Sequence, residues 1–433
     1  MALYDYPGKV SIDQASIYNT LGRISIINNL MRVEIFEDIY TPYVYCNLVV
    51  IDYNKLASEL PLIGEEYFAI TFRSEGGRPI NYLFYMYQQD DGVIMSNNKA
   101  QGYVLHGMTL ERAFDNTATV SGAYKNSYAS IAGQIYDDHI KKHTEIEFEF
   151  EPSKSIARYV VPQLSPLQAI NYCMHKAVPN SGVYSPYTFF RNSRGYNFTS
   201  YNYLFQRAGN LSESVVHVYG RPSPNPQSDE DGTSGGAPTR NDIISFEPQG
   251  KYNTLNKIDR GTYNSSSFSF DLTTKQFVLR KQFNLSENKH KFQLGSSGEF
   301  NTEQFLKTFD NTRCFVDYRP VDFSIETEGT SVDFLPDAIG EMTSYVGLFA
   351  QQQAGILMYG DSNYTAGQTI TIQVYKPTDQ NMTAERDDTH SGTYLLSRVK
   401  HTILFDTQNT YELNMTGIKG AMGKTLTELQ KNG

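Results

Sequence analysis

VEIFEDIYTPYVYCNLVVIDYNKLASELPLIGEEYFAITF, residues 33–72, decides how the rest of the chain reads. Its first part is two extended runs, rich in Val, Ile, Tyr and Phe, on either side of Thr41-Pro42. Asp52 then caps a short helical turn with Leu56 and Leu60 on one side, and Pro61 ends it, because proline has no N–H to continue a helix. Gly64 opens a new alternating strand, Tyr67–Phe72, after Glu65 and Glu66. Strand, strand, helical turn, strand is a barrel-building order. No step of it supplies a nucleophile, a metal-ligand set or a phosphate loop, so the stretch reads as architecture.

The whole chain has the same character. Its 433 residues suit two to four domains. There are 32 Tyr, 25 Phe and no Trp, and apolar residues make up 39%. Tyrosine suits strands and half-buried interfaces, where the ring packs while the hydroxyl stays hydrated. A net charge of -10 argues against an electrostatic grip on nucleic acid, which needs a basic stripe, and fits a surface that DNA slides past. Cys46, Cys173 and Cys314 are odd in number and far apart, so they read as buried thiols in a reducing compartment. The N-terminus lacks the pattern of a signal peptide, and no apolar run approaches the ~18–20 residues of a membrane span, so no stable membrane insertion is expected.

Taken in order, residues 1–18 read as a polar arm and 19–120 as an all-β unit. The period changes near Asn126, where Ile131, Ile135, Tyr136 and Ile140 share one helical face. Glu145–Glu151 alternates strictly and reads as a strand with one wet face in preference to a carboxylate row for catalysis or a cation. The next helix is signalled most fully: Ser165 at the N-cap, Pro166 at the first helical position, Gln168 closing a capping box, and Leu167, Ile170 and Met174 as its inner stripe. A hairpin with its turn at Asn192–Gly195 follows. Residues 222–242, rich in Pro, Gly, Ser and Asp, read as a linker or long exposed loop. Strands resume at Ile243, helical stretches fall at 301 onward and about 338–352, and the last strands lie at 369–375, 394–405 and 411–415. Two glycine-led strand openings echo one another, Gly64–Phe72 with Gly367–Val374, and Gly102–Leu105 with Gly392–Leu395, which suggests that the first and last β units are copies.

Reactive constellations are missing. Gly417–Thr425 resembles a phosphate-binding loop, but its leading glycine stands one residue too far from Gly423-Lys424-Thr425 and no following helix fits. Asp229-Glu230-Asp231-Gly232 lacks the alternating ligands and closing Glu of a calcium loop. His139 and His143 are spaced i, i+4, with lysines between them in place of a metalloprotease pattern. No GxSxG elbow occurs. Neither a cofactor nor a metal is expected, and the reading is non-enzymatic.

Several segments in order resemble the central baseplate hub proteins of contractile-tailed bacteriophages, related to the hub part of type VI secretion spike proteins. They are Phe36–Ile39 through Pro61, Gly64, Glu65 and Glu66 to Phe72; Tyr159–Pro166, with Pro162 and Pro166; Tyr187–Thr199, with Gly195; and Gly261–Tyr263 with Phe270–Leu272, including Asp271, followed by Gly392–His401. The resemblance implies an α+β, mainly β fold. A first hub β-barrel with its arm would occupy 1–120, an α/β domain 121–220 and an exposed loop 221–242. A second, related barrel would occupy 243–285 and 360–420, split by an insertion over 286–359, with a C-terminal tail at 421–433. It also implies a homotrimer in the virion tail baseplate, assembled in the host cytoplasm. Its partners would be a central spike protein, tail-tube or tube-initiator proteins and a tape measure protein, with DNA passing through without specific binding. Two other readings stay open: a tail-associated cell-wall hydrolase using carboxylates such as Glu299, Glu303, Glu326 or Glu328, or a peripheral adaptor or receptor-binding protein.

Overall fold

The computed structural model describes residues 7–20, 22–53, 63–94, 100–154, 156–180, 183–209, 215–220, 239–250, 253–271, 275–288, 313–319, 335–349, 352–376, 385–407 and 409–419. The helical turn expected after Asp52, with Pro61, lies outside them. So do the stretch 221–238, the helix expected from 301, and 420–433.

The first third carries strands β1 Val10–Asn19, β2 Gly22–Ser25, β3 Leu30–Asp38, β4 Tyr45–Asp52, β5 Tyr67–Ser74, β6 Ile80–Ile94 and β7 Gln101–Thr109, then helix α1 Leu110–Thr117. Next come β8 Val120–Asn126, α2 Tyr128–His139, β9 Phe148–Phe150, β10 Ala157–Leu164, α3 Pro166–Lys176, β11 Tyr187–Asn192, β12 Gly195–Ser200 and α4 Tyr201–Gly209. The remainder holds β13 Val216–Tyr219, β14 Ile243–Gly250, α5 Thr254–Asp259, β15 Asn264–Asp271, β16 Gln276–Asn284, α6 Leu285–Asn288 and β17 Arg313–Arg319. It closes with α7 Leu335–Leu348, β18 Gln352–Tyr359, β19 Thr369–Val374, β20 Gly392–Leu404 and β21 Thr410–Lys419.

The fold is mainly β. Alternation in the opening stretch does what period-2 patterning requires: Val33, Ile35 and Ile39 are fully buried, as are Cys46, Leu48 and Val50 on β4 and Phe68 and Phe72 on β5. Each buried Val, Ile, Leu or Phe side chain here contributes roughly 1.5–3 kcal/mol on leaving water. Thirteen strands join one sheet. In its first part the neighbours run β1-β5-β6-β7-β4-β3; in its last part they run β13-β19-β20-β21-β18-β14. The pairing order thus recurs strand for strand. One step differs: β1 meets β5 antiparallel, whereas β13 meets β19 parallel.

Local details recur with the order. Gly64 and Gly367 both adopt left-handed φ, 89° and 85°, just before β5 and β19. The carbonyl of Glu66 accepts the N–H of Met86 on β6 at 2.8 Å, and that of Gln368 accepts the N–H of Leu396 on β20 at 2.7 Å. The second echo read from the sequence is not matched. Gly102 opens β7, whose counterpart in the pairing order is β21, whereas Gly392 opens β20.

The two parts share a seam, where β20 pairs antiparallel with β3 from Arg398↔Asp38 to Leu404↔Arg32. Single bridges, Lys9↔Thr410 and Val218↔Asp242, tie the start of β1 to β21 and β13 to β14. On the outward side of the seam the charges are paired, Lys400 with Glu34 at 2.7 Å and Arg398 with Asp38 at 2.9 Å.

The middle of the chain builds a second core of its own, with α2 and α3 packed together over β8, β10 and the β11–β12 hairpin. Gln168 reaches back to the Ser165 N–H at 3.5 Å as the capping box requires. A cap from outside the segment adds to it: Asp115 of α1 accepts the Leu167 N–H at 2.7 Å and the Ser165 hydroxyl at 2.9 Å.

Several expectations need correcting. The arm expected over 1–18 holds a core strand, because Val10, Ala15 and Ile17 are buried against β5. The unit 19–120 is not all β, since it ends in α1. The alternation at 145–151 yields a strand of only three residues, and Glu151 turns inward where a wet face was expected, accepting the Ser200 N–H at 2.7 Å. Strand pairing also divides the chain differently from the boundaries at 220, 285 and 359. β13 and β18 belong to the main sheet, whereas β15, β16 and β17 form a separate three-stranded sheet beside α7.

Candidate functional site: a buried carboxylate at the seam

Glu37 lies on the inward face of β3, in step with Val33 and Ile35, and is buried. A lone carboxylate there is costly unless it is bonded on all sides. Partners arrive from three parts of the chain. Tyr82 on β6 donates its hydroxyl to Oε1 at 2.6 Å, and the Ser193 N–H, in the β11–β12 turn, donates to the same oxygen at 3.0 Å. Oε2 accepts the Ala366 N–H at 2.8 Å and the Thr365 hydroxyl, both from the segment before β19. His401 on β20, fully buried, places Nε2 3.5 Å from Oε1, at ion-pair distance, and its Nδ1 pairs with the Tyr411 hydroxyl at 2.7 Å. Burial alone would raise the Glu37 pKa; the neighbouring His401 imidazole, with the bonds from Thr365 and Tyr82, outweighs it and holds the carboxyl below its ordinary value.

Around this centre the same three parts are laced together. Ser74 of β5 exchanges bonds with Ser362, its N–H donating to the Ser362 hydroxyl at 3.2 Å and its hydroxyl accepting the Ser362 N–H at 3.0 Å. Asn192 donates to the Ala366 carbonyl at 2.8 Å, and Thr188 donates to the Ile39 carbonyl. Beneath the hairpin, Arg191 pairs with Glu111 of α1, both side chains almost wholly buried. The arrangement is a clamp that joins three parts of the chain. Among the described residues no group of three His, Cys, Asp or Glu could hold a metal ion. Burial pushes the Cys46 thiol up and the Cys173 thiol up to about 12, so both are inert at neutral pH.

The residues singled out from the sequence are scattered, and His401 alone sits at the clamp. Pro61 lies outside the described residues, as do Glu299, Glu303, Glu326 and Glu328. Gly64 turns the chain into β5, Glu65 is exposed, and buried Glu66 accepts the N–H groups of Ile63 and Gly64 at 2.7 and 3.0 Å. Pro162 lies at a bulge in β10, Pro166 is the first residue of α3, and Asp271 ends β15 opposite Gln276 and Arg319. Gly392 opens β20 beside Lys419, whose ammonium donates to the Thr389 and Ser391 carbonyls at 2.7 and 2.6 Å. Gly195 has φ 145°, and a Cβ there would stand 2.7 Å from the Glu147 carbonyl oxygen. Gly195→Ala is therefore expected to cost about 1–3 kcal/mol in urea unfolding; an unchanged midpoint would refute that close approach. Sequence reasoning gave Glu37 no role, although a carboxylate in an otherwise apolar inward row was its visible signal.

The architecture is one found among tail proteins. The chain matches the tail protein from Neisseria meningitidis MC58 at 8% identity and a TM-score of 0.51, over 95% of this chain and 97% of that one. It matches the 43 kDa tail protein of prophage MuSo2 from Shewanella oneidensis at 9% identity and a TM-score of 0.51, over 95% and 99%. At such identities the likeness is one of fold. The resemblance to tail hub proteins read from the sequence is borne out at that level. No protein-family profile matches the sequence, and no curated protein matches it. Among the described residues no helix is long and apolar enough to cross a membrane.

Proposed function

We propose that this chain is the central structural hub of a contractile-type tail baseplate, and that it acts as a homotrimer. The observation that carries this reading is the recurrence of one strand-pairing order in the two halves of the sheet. Each half would be one barrel. Three chains would then present six like modules, a ring that a sixfold tail tube can dock on. Its other face keeps the threefold symmetry that a central spike demands. The clamp at Glu37 fits this role, since it fixes the two modules and the α/β unit in one rigid arrangement. The α/β unit, near 121–220, and the small sheet with α7 would stand at the periphery.

Tail-tube or tube-initiator proteins, the spike and a tape measure protein would be its partners. Assembly would take place in the host cytoplasm and the hub would end in the virion tail baseplate. The outward face of the seam, with its charges paired, would line a channel through which DNA passes without specific binding. No catalytic step is assigned. Light scattering or native mass spectrometry of the purified chain is expected to give three times its 49.0 kDa mass. A particle that closes with any other symmetry sinks the proposal.

A further inference from the structure

A cleft of about 480 Å3 opens between the β11–β12 hairpin and the segment from Asp361 to Ile370. Arg194, Arg207 and Arg240 line it, in a chain that is acidic overall. Arg207 is paired, with Glu149 at 2.7 Å. Among the described residues Arg194 donates to the Asn363 carbonyl at 3.4 Å, and Arg240 to the Glu75 carbonyl. Behind them Arg78 bonds the Ser193 hydroxyl at 2.6 Å and the Ser362 carbonyl at 3.3 Å. Among the described residues no carboxylate pairs with Arg78, Arg194 or Arg240. Among the described residues three carboxylates also line the cleft, Glu147, Glu149 and Asp361; Glu149 is paired with Arg207, and with Arg78 four guanidinium groups stand near these three acids. Burial and then the neighbouring charges of Arg78 and Arg207 draw the Arg194 pKa below its ordinary value, against the opposing pull of Glu37 and Glu149.

Like charges gathered in a partly enclosed cleft are unfavourable by themselves and become favourable around an anion. Guanidinium groups match carboxylate and phosphate oxygens two at a time, and the volume suits a small organic molecule better than a single ion. We propose that this cleft binds a polyvalent oxyanion, bearing carboxylate or phosphate groups, with Arg194 and Arg240 as its principal contacts. The inference does not depend on the trimer and stands or falls separately from it.

Calorimetric titration of the full chain at low salt, with citrate as the carboxylate probe and pyrophosphate as the phosphate probe, tests it. One ligand per chain is expected for at least one probe, weakening about tenfold in Arg194→Gln and in Arg240→Gln, as loss of a charge-assisted contact implies. Which probe binds identifies the ligand's chemistry. Arg240 lies outside the hairpin turn, so its variant keeps the test standing should the Arg194 variant fail to fold. Heats no greater than those of sodium chloride at matched ionic strength, or variants that bind as the natural chain does, overturn the proposal.

Discussion

Replacing Glu37 with alanine is expected to remove about 3–5 kcal/mol of folding stability, the usual result of breaking a buried, fully bonded ionic group. The loss arises from what stays behind. The Tyr82 and Thr365 hydroxyls and the Ser193 and Ala366 N–H groups would lose their acceptor in a dry site, each at a cost of about 1–3 kcal/mol if no water enters. Glu37→Gln should fall between, because its amide keeps one accepting oxygen but turns an N–H2 toward donors. The pH dependence has a definite sign. A carboxyl held below its unfolded value contributes stability that is complete above the unfolded pKa, and this is lost as pH falls through the folded one. Urea unfolding at a series of pH values should therefore show the gap between the natural chain and Glu37→Gln narrowing in acid. A loss under ~1 kcal/mol at neutral pH, set against the typical cost of a single mutation, would show that the clamp holds nothing together.

Glu111→Ala is expected to be comparably severe, about 3–5 kcal/mol. It would strand the Arg191 guanidinium, whose side chain is 6% exposed, between the rings of Tyr82 and Tyr196 at 5.9 and 5.8 Å. Arginine does not deprotonate to escape. The double variant Glu111→Leu with Arg191→Met should recover much of the loss, since apolar replacements of a buried pair are often neutral or better. Thermal melts of the two single variants and the double variant check this. Simple additivity would mean that the two residues do not interact.

Much of the fold was legible, and the failures share a cause. Alternation placed β3, β4 and β5, and the Ser165, Pro166 and Gln168 signals placed α3, because those signals are local. The arm failed because Ser, Gln and Asp between Val10 and Ile17 hide an inward row that only β5 makes apolar. Asp115 as a cap for α3 was not legible, and Glu37 showed only as a carboxylate in an apolar row, since their partners stand 52 and 328 residues away. Of the two glycine echoes, Gly64 with Gly367 reflects a turn conformation the chain needs twice. Gly102 with Gly392 reflects only the abundance of glycine before strands.

The seam also sets the tempo of biogenesis. Asp38 and Arg398, which face each other across it, are 360 residues apart. At a translation speed of about 5–20 residues per second, roughly twenty to seventy seconds pass between the emergence of one edge and that of its mate. Throughout that interval β3 offers a bare ribbon of amides and carbonyls to any passing nascent chain. Sibling polypeptides on one polysome are thus competitors for that edge before they become companions.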